Sequence, residues 1–290
     1  MAVLRYLQLD VFAPRPGSGN PLGAILDADA LSSSQMQALA AWLNLSETVF
    51  FLRPSAPGAD YHIRIFTPTR ELAFAGHPSV GAAWAAVSCG LARPRDGALL
   101  QQCAAGLLPV RVSGPAEALN IQLASPPARQ LATPADGAPE ALLALAASGQ
   151  RPELWDNGAR WWLLPLRDAA AVRDLAPDMT ALRDWSLATD ATGVAVFADE
   201  AGTGHTRVVR AFCPADAASV PEDPVTGSAN ALIGAWLRQR DALPGSEGRY
   251  VASQGREVGH DARLTLLVDE DGEVWSGGQV QTVISGTLDW

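Results

Sequence analysis

The sequence contains no lysine; all 21 of its basic side chains are arginines. That single absence removes several chemistries. A Schiff base to pyridoxal phosphate or to a carbonyl substrate needs a lysine amine, and a Walker-type phosphate loop needs a lysine on the phosphates. Cysteine is nearly as scarce. Cys89, Cys103 and Cys213 are scattered and form no C-x-x-C pair, which excludes a disulfide framework and points to a reducing compartment, the cytoplasm. No apolar run approaches the ~18 residues that a membrane span requires. The N-terminal MAVLRYLQLDVFAP alternates like a strand instead of leading from a charged stub into an apolar signal core. Excess positive charge is also missing. With a net charge of −10 and no basic stripe, the chain lacks the footprint of a nucleic-acid or anionic-membrane binder. A small anionic substrate held by backbone N–H groups stays compatible with that charge. His, Cys, Asp and Glu nowhere take metal-ligand spacing, so no metal is expected.

What is present reads as a globular α+β chain. Of 290 residues, 48% are apolar and 18% charged, enough for one large domain or two lobes. RYLQLDVF (5–12) alternates as a half-buried strand, and PRPGSGNP (14–21) is a turn-rich loop. Ser32 to Ser34 can cap a helix carrying Met36, Leu39, Ala40 and Leu43 at helical spacing. Strands are expected at 48–52 and 61–66. A helix is expected over 77–87, with Pro78 at its first position. LPVRVSG (108–114) and ALNIQLA (118–124) read as strands. SPPARQLATPADGAPE (125–140) is the best lobe boundary. It divides the chain into an N-terminal lobe of 1–124, completed by a C-terminal strand at about 278–290, and a C-terminal lobe of 125–277. Beyond it, strands are expected at RWWLLPL (160–166), GVAVFA (193–198) and TRVVRAF (206–212), then a helix from Ser228 to about Arg240. Two or three closing strands run from Leu264 to the C-terminus. GHPSVGAAW (76–84) and GSANALIGAW (227–236) echo one another, and strands outnumber helices with short links that favour antiparallel pairing. Two similar lobes are the expected architecture.

Four stretches combine reactive groups with turn residues: GSGNP (17–21), NLSET (44–48), AGHPS (75–79) and EDPVTGSAN (222–230). Gly76 and Gly227 each open a helix, whose first amides have no intrahelical partner and sit at the positive end of the helix dipole. Two such ends bind a carboxylate or stabilise an enolate without lysine or arginine, unless they are ordinary capped helices. Glu47 stands at the edge of an apolar strand, beside Leu45, Val49 and Phe50. A carboxyl group held in a desolvated pocket takes a proton from carbon; one at a solvent-facing turn does not. Asp223 lies between Glu222 and Pro224, where an Asp also serves as a turn former. His62, His205 and His260 sit in strand or loop contexts and read as surface or structural residues. GSGNPLG is a poor dinucleotide fingerprint, with its third glycine misplaced and Pro21 where a helix should open. Trp161 and Trp162 are adjacent in a strand and face opposite sides, so they read as core.

Taken in order, D-x-F with G-N-P (Asp10–Phe12, Gly19–Pro21), N-x-S-E-T-x-F (Asn44–Phe50), R-x-F-T-P-x-x-E-x-x-F-A-G-H-P (Arg64–Pro78) and F-x-P…E-D-P-V-T-G-S-A (Phe212–Ala229) resemble the phenazine-biosynthesis PhzF-like family. The resemblance spans essentially the whole chain. It implies a diaminopimelate epimerase-like fold: two lobes, each a barrel-like, mostly antiparallel sheet around a central helix, with the active site between them. It further implies a homodimeric, cofactor-free isomerase that moves a proton between carbons of a small carboxylate substrate. On matching positions, Glu47 becomes the acid/base, with His77 and Asp223 as polar partners in catalysis. Gly76, Gly227 and Ser228 would line the carboxylate site, with Asn20 near it. The chain departs from the family pattern where Gln254–Gly255 leads to Gly259–His260–Asp261 in place of G-R-P, which bears on the substrate or on a dimer contact. Two rivals differ in chemistry. A thiol-type racemase needs a cysteine at each helix start, where this sequence has His77 or Asn20 and Ser228. A non-catalytic small-acid binding protein would have no need of Glu47, His77, Asp223 and Ser228 together.

Overall fold

The computed structural model describes residues 3–115, 118–132, 134–200, 204–214, 221–245 and 247–290. The chain forms two compact units, one of Met1–Ala124 with Gly277–Trp290, the other of Ser125–Ser276.

In the first unit, β1 (Val3–Val11) and β2 (Asn20–Leu26) form an antiparallel pair. Helix α1 (Ser33–Leu43) carries the chain over to β3 (Glu47–Leu52), parallel to β2, and β4 (Tyr61–Phe66) returns antiparallel. The two-residue β5 (Glu71–Leu72) pairs back on β4. Helix α2 (Gly76–Ser88) leads to β6 (Ala98–Cys103), parallel to β4, followed by antiparallel β7 (Gly106–Ser113) and β8 (Asn120–Ala124).

The second unit begins with β9 (Arg129–Leu131), the short α3 (Glu140–Leu143), β10 (Glu153–Asp156) and β11 (Arg160–Pro165). Helices α4 (Ala169–Arg173) and α5 (Met179–Ala188) cross to β12 (Gly193–Asp199), parallel to β11, and β13 (Arg207–Phe212) returns antiparallel. The two-residue β14 (Glu222–Asp223) pairs on β13. Helix α6 (Gly227–Arg238) leads to β15 (Arg249–Gln254), parallel to β13, with β16 (Ala262–Val268) antiparallel to it. After β17 (Val274–Gly278) the chain closes with β18 (Val280–Asp289), which pairs antiparallel with β1 in the first unit.

In each unit the strands pack against a helix that is apolar or small on nearly every side. Along α2, Val80, Gly81, Ala82, Ala83, Ala85 and Ala86 are buried, and the helix lies against β1, β2, β3, β4, β8 and β18. Gly81 permits this packing: a Cβ there would fall 2.4 Å from a Leu22 methyl and 2.9 Å from one of Val11. In the second unit α6 buries Ala229, Ala231, Leu232, Ile233, Gly234, Trp236 and Leu237. The architecture is α+β and diaminopimelate epimerase-like. Helix α1 starts as expected: Ser32 accepts from the Gln35 amide while the Gln35 side chain accepts from the Ser32 amide, a capping box. By contrast, α2 begins one residue before its expected start, so Pro78 is its third residue instead of its first. No hydrogen bond is lost, since that position also lies in the unpartnered first turn.

The two units repeat one plan. The order hairpin, crossover, hairpin, two-residue strand, central helix, hairpin holds in both. Arg64 of β4 grips Glu71 of β5 through two bonds of 2.7 and 2.6 Å; Arg210 of β13 grips Glu222 of β14 through two of 2.8 and 2.7 Å. Each arginine also lies over a phenylalanine two residues on, Phe66 and Phe212. Phe66 stands opposite Glu71 and Phe212 opposite Glu222, so Leu72 is the counterpart of Asp223. The helix starts align as well, Gly76–His77 with Gly227–Ser228.

Candidate active site

The sequence-predicted residues fall into two groups, one in each unit. In the first unit the turn after β1 is pinned by Asp10, whose Oδ2 accepts from the Gly19 amide at 3.0 Å. Gly19 has no room for a side chain, since a Cβ would lie 2.1 Å from the Val11 carbonyl oxygen. The next residue, Asn20, is buried as β2 begins, and its Oδ1 accepts from the Ser46 hydroxyl at 3.5 Å. Pairing of β2 with β3 sets Leu22 opposite Glu47, the first residue of β3. Glu47 is partly shielded, its side chain 18% exposed, and His77 Nε2 lies 3.4 Å from its Oε2. His77 is the second residue of α2, next to Gly76, so imidazole and carboxylate meet at the positive end of that helix. Ala75, the N-cap residue, makes no side-chain cap bond, and the first-turn amides are not capped in the ordinary way.

In the second unit the adjacent carboxylates of β14 separate. Glu222 is buried against Arg210, whose remaining Nη1 donates to the carbonyls of Val172, Arg173 and Leu175 at the end of α4. Asp223 turns the other way. Its Oδ1 accepts from the Val225 amide at 3.2 Å and its Oδ2 from the Thr226 hydroxyl at 2.8 Å. Because the Thr226 hydroxyl serves Asp223, the N-cap position of α6 also makes no side-chain cap bond. Behind Gly227, the Ser228 hydroxyl accepts from the Trp161 indole N–H and its carbonyl from Asn157, each at 3.1 Å. Trp162 stacks instead on Trp185, with ring centroids 4.6 Å apart. Both tryptophans are buried, and the ring facing α6 holds a serine.

The repeat has a carboxylate at the Glu47 position in one unit only. Thr48 opposite Phe66 and Val194 opposite Phe212 make Gly193 the counterpart of Glu47. A Cβ on Gly193 would lie 1.9 Å from the Phe212 carbonyl oxygen, so the second unit has no room for a side chain there.

Two of the other histidines stand apart, while the His260 amide donates to the Gly255 carbonyl oxygen at 2.9 Å, next to Gln254. His205 is buried with Nε2 2.6 Å from Glu200 Oε2, and His62 Nδ1 lies 3.4 Å from the Arg53 carbonyl oxygen. Among the described residues no group of three or more His, Cys, Asp or Glu side chains could hold a metal. A cavity of about 310 Å3 lies among α3, α4 and α5 and includes none of the predicted site residues. Two of its acids, Asp168 and Asp178, cap α4 and α5. Two contributors escape a sequence reading, Trp161 as a donor to Ser228 and Gln254 beneath the Asp223 turn. Their roles depend on contacts 67 and 28–31 residues away in the chain.

Comparison with known proteins settles the kinship. Residues 9–286 match the family model described as phenazine biosynthesis-like protein. The chain belongs to the PhzF family. Trans-2,3-dihydro-3-hydroxyanthranilate isomerase of Pseudomonas aeruginosa is 35% identical over 282 residues, covering 95% of this chain and 94% of its own. Antisense-enhancing sequence 1 of Schizosaccharomyces pombe is 34% identical over 292 residues, covering 97% of each. The PhzF-family protein of Bacillus anthracis superposes over 100% of both chains with a TM-score of 0.83 at 22% identity, a likeness of fold. As a PhzF-family member the protein is an isomerase. No helix among the described residues is long and apolar enough to cross a membrane.

Proposed function

We propose that this PhzF-family protein moves a proton between carbons of a small carboxylate substrate, with Glu47 as the acid/base. The supporting observation is the 3.4 Å approach of His77 Nε2 to a partly shielded Glu47 carboxylate at the start of α2. A carboxylate takes a proton from carbon when the charge left behind is delocalised and met by donors. The substrate's own carboxylate and π-system provide the delocalisation. The first-turn amides of α2 and α6, opening at Gly76 and Gly227, are donors suited to that charge. Glu47, now neutral, returns the proton to another carbon and ends as it began, so the cycle balances without an oxidant or a cofactor.

His77 assists by keeping a polar group on the Glu47 oxygen as its charge changes. Asp223 and Ser228 orient the substrate's polar groups. The Ser228 hydroxyl already accepts from Trp161 and so has its own proton to donate. Asn20 positions the segment before Glu47 through Ser46. The Pseudomonas relative's name suggests a cyclic amino or hydroxy acid of the dihydro-hydroxyanthranilate kind. A homodimer in a reducing cytoplasm completes the reading, in keeping with cysteines that form no disulfide among the described residues. Against a thiol-type racemase, His77 and Ser228 occupy the helix starts where that chemistry needs cysteines.

The test is solvent deuterium incorporation, read by NMR and mass spectrometry, across a panel of cyclic and acyclic amino and hydroxy acids including trans-2,3-dihydro-3-hydroxyanthranilate. Deuterium at a carbon of one panel member is the expected result. Tight binding of such acids with no exchange at any carbon contradicts the proposal and favours a binding protein on the same fold.

A further inference from the structure

Gln254 ends β15 and is fully buried. Its carboxamide offers two donors and two acceptor sites, and all four are used. Oε1 accepts from the Thr226 amide at 3.2 Å and from Asn230 Nδ2 at 2.8 Å. Nε2 donates to the Asp223 carbonyl oxygen at 2.9 Å and to the Thr226 hydroxyl oxygen at 3.0 Å. Two of these partners are main chain, an N–H facing Oε1 and a C=O facing Nε2, so the amide has one orientation only.

That orientation fixes the next link. A threonine hydroxyl has a single proton. With a Gln254 N–H on the Thr226 oxygen, the Thr226 proton is directed to Asp223 Oδ2, 2.8 Å away. Gln254 therefore reaches the Asp223 carboxylate twice, through the backbone of the turn and through the Thr226 hydroxyl.

The internal repeat gives independent support. Tyr61 stands opposite Gln101 and Arg207 opposite Ala252, which makes Cys103 the counterpart of Gln254. Leu72 is the counterpart of Asp223. Acid and amide occur together in one unit, and both are missing at the same positions of the other. A glutamine that only braced the fold would serve either unit equally.

We propose that Gln254 is a positioning residue for the isomerase reaction, acting through Thr226 to hold the Asp223 carboxylate in its working orientation. The inference rests on the assignment of Asp223 to the reaction. Gln254→Glu tests it, because it keeps the shape but presents only acceptor oxygen where Nε2 donated. The Thr226 hydroxyl then turns to the new carboxylate and leaves Asp223. Gln254→Met, which removes the donor without adding charge, serves if the buried carboxylate prevents folding.

The first readout needs no substrate. Crystal structures of wild type and Gln254→Glu should show the Thr226 Oγ1 to Asp223 Oδ2 contact present in the first and broken in the second; an unchanged contact overturns the proposal. In the deuterium assay, kcat should fall about 10- to 100-fold with KM little changed. Thr226→Val should lose as much, and the double variant no more than either single one, because both break the same chain of bonds. Additive losses would contradict the relay. Asp223→Asn is measured alongside. If it exchanges deuterium like wild type, the Asp223 assignment has failed and Gln254 falls with it. If it is slow while the Gln254 variant is fast, only the inference about Gln254 is wrong.

Discussion

His77 Nε2 and Glu47 Oε2 stand 3.4 Å apart, brought together from the second residue of one helix and the first residue of one strand. Neither position depends on a long flexible side chain reaching across solvent. Glu47 is set by the parallel pairing of β2 with β3, and His77 by a helix packed on five neighbouring strands and on β18. Under the proposed mechanism, a pair held this way keeps its geometry before substrate arrives, which is where much of the advantage of a positioned catalyst lies.

His77→Ala should therefore lower the exchange rate by about 100-fold, the usual scale for a lost partner in proton transfer, while the protein still folds. Circular dichroism and the deuterium assay on the same sample check both halves. An exchange rate equal to wild type would remove His77 from the mechanism.

The paired arginines of the repeat should differ sharply in their effect on stability. Arg210 and Glu222 side chains are 8% and 10% exposed, so Arg210→Met strands a buried carboxylate at a cost of about 3–5 kcal/mol. Arg64 and Glu71 are 23% and 35% exposed, and Arg64→Met should cost about 1 kcal/mol or less. Urea unfolding of the two variants measures the contrast; equal losses would show that burial does not govern these pairs.

What the sequence discloses, and what it hides, follows from the range of each interaction. The α1 start is readable because a capping box lies within four residues, Ser32 to Gln35. The likeness of the units is faint at sequence level because the Arg-x-Phe and Glu of each are separated unequally, by residues 67–70 in one and 213–221 in the other. Sheet pairing brings them into the same register, and only then does the repeat become plain. Helices α4 and α5 are short and lie among Pro, Asp and Ala without a long apolar period, so they leave little trace. Glu222 and Asp223 are equivalent as letters; the Arg210 side chain, twelve residues away, decides which is structural. Gln254 stands in the sequence as half of a Gln-Gly motif, but its bonds to Asp223, Thr226 and Asn230 appear only in the fold.

Acid stability should depend on Glu200. The Arg173 guanidinium foremost, and then His205, hold its carboxyl at about 2, below the ordinary 4.5. A carboxylate depressed in the folded state contributes stability that is complete above 4.5 and is lost as the pH falls toward 2. Glu200→Gln should flatten that acid limb by about 1–2 kcal/mol, allowing for solvent around the partly exposed pair. Unfolding free energies measured from pH 6 to pH 2 give the comparison, and parallel curves for variant and wild type would contradict it.

The most direct test of the central claim is solvent deuterium incorporation into the substrate by wild type and Glu47→Gln side by side. The account predicts deuterium at carbon with wild type and none above background with the folded variant, because the amide cannot accept the proton. Equal exchange by the two proteins would contradict it and show that Glu47 is not the base.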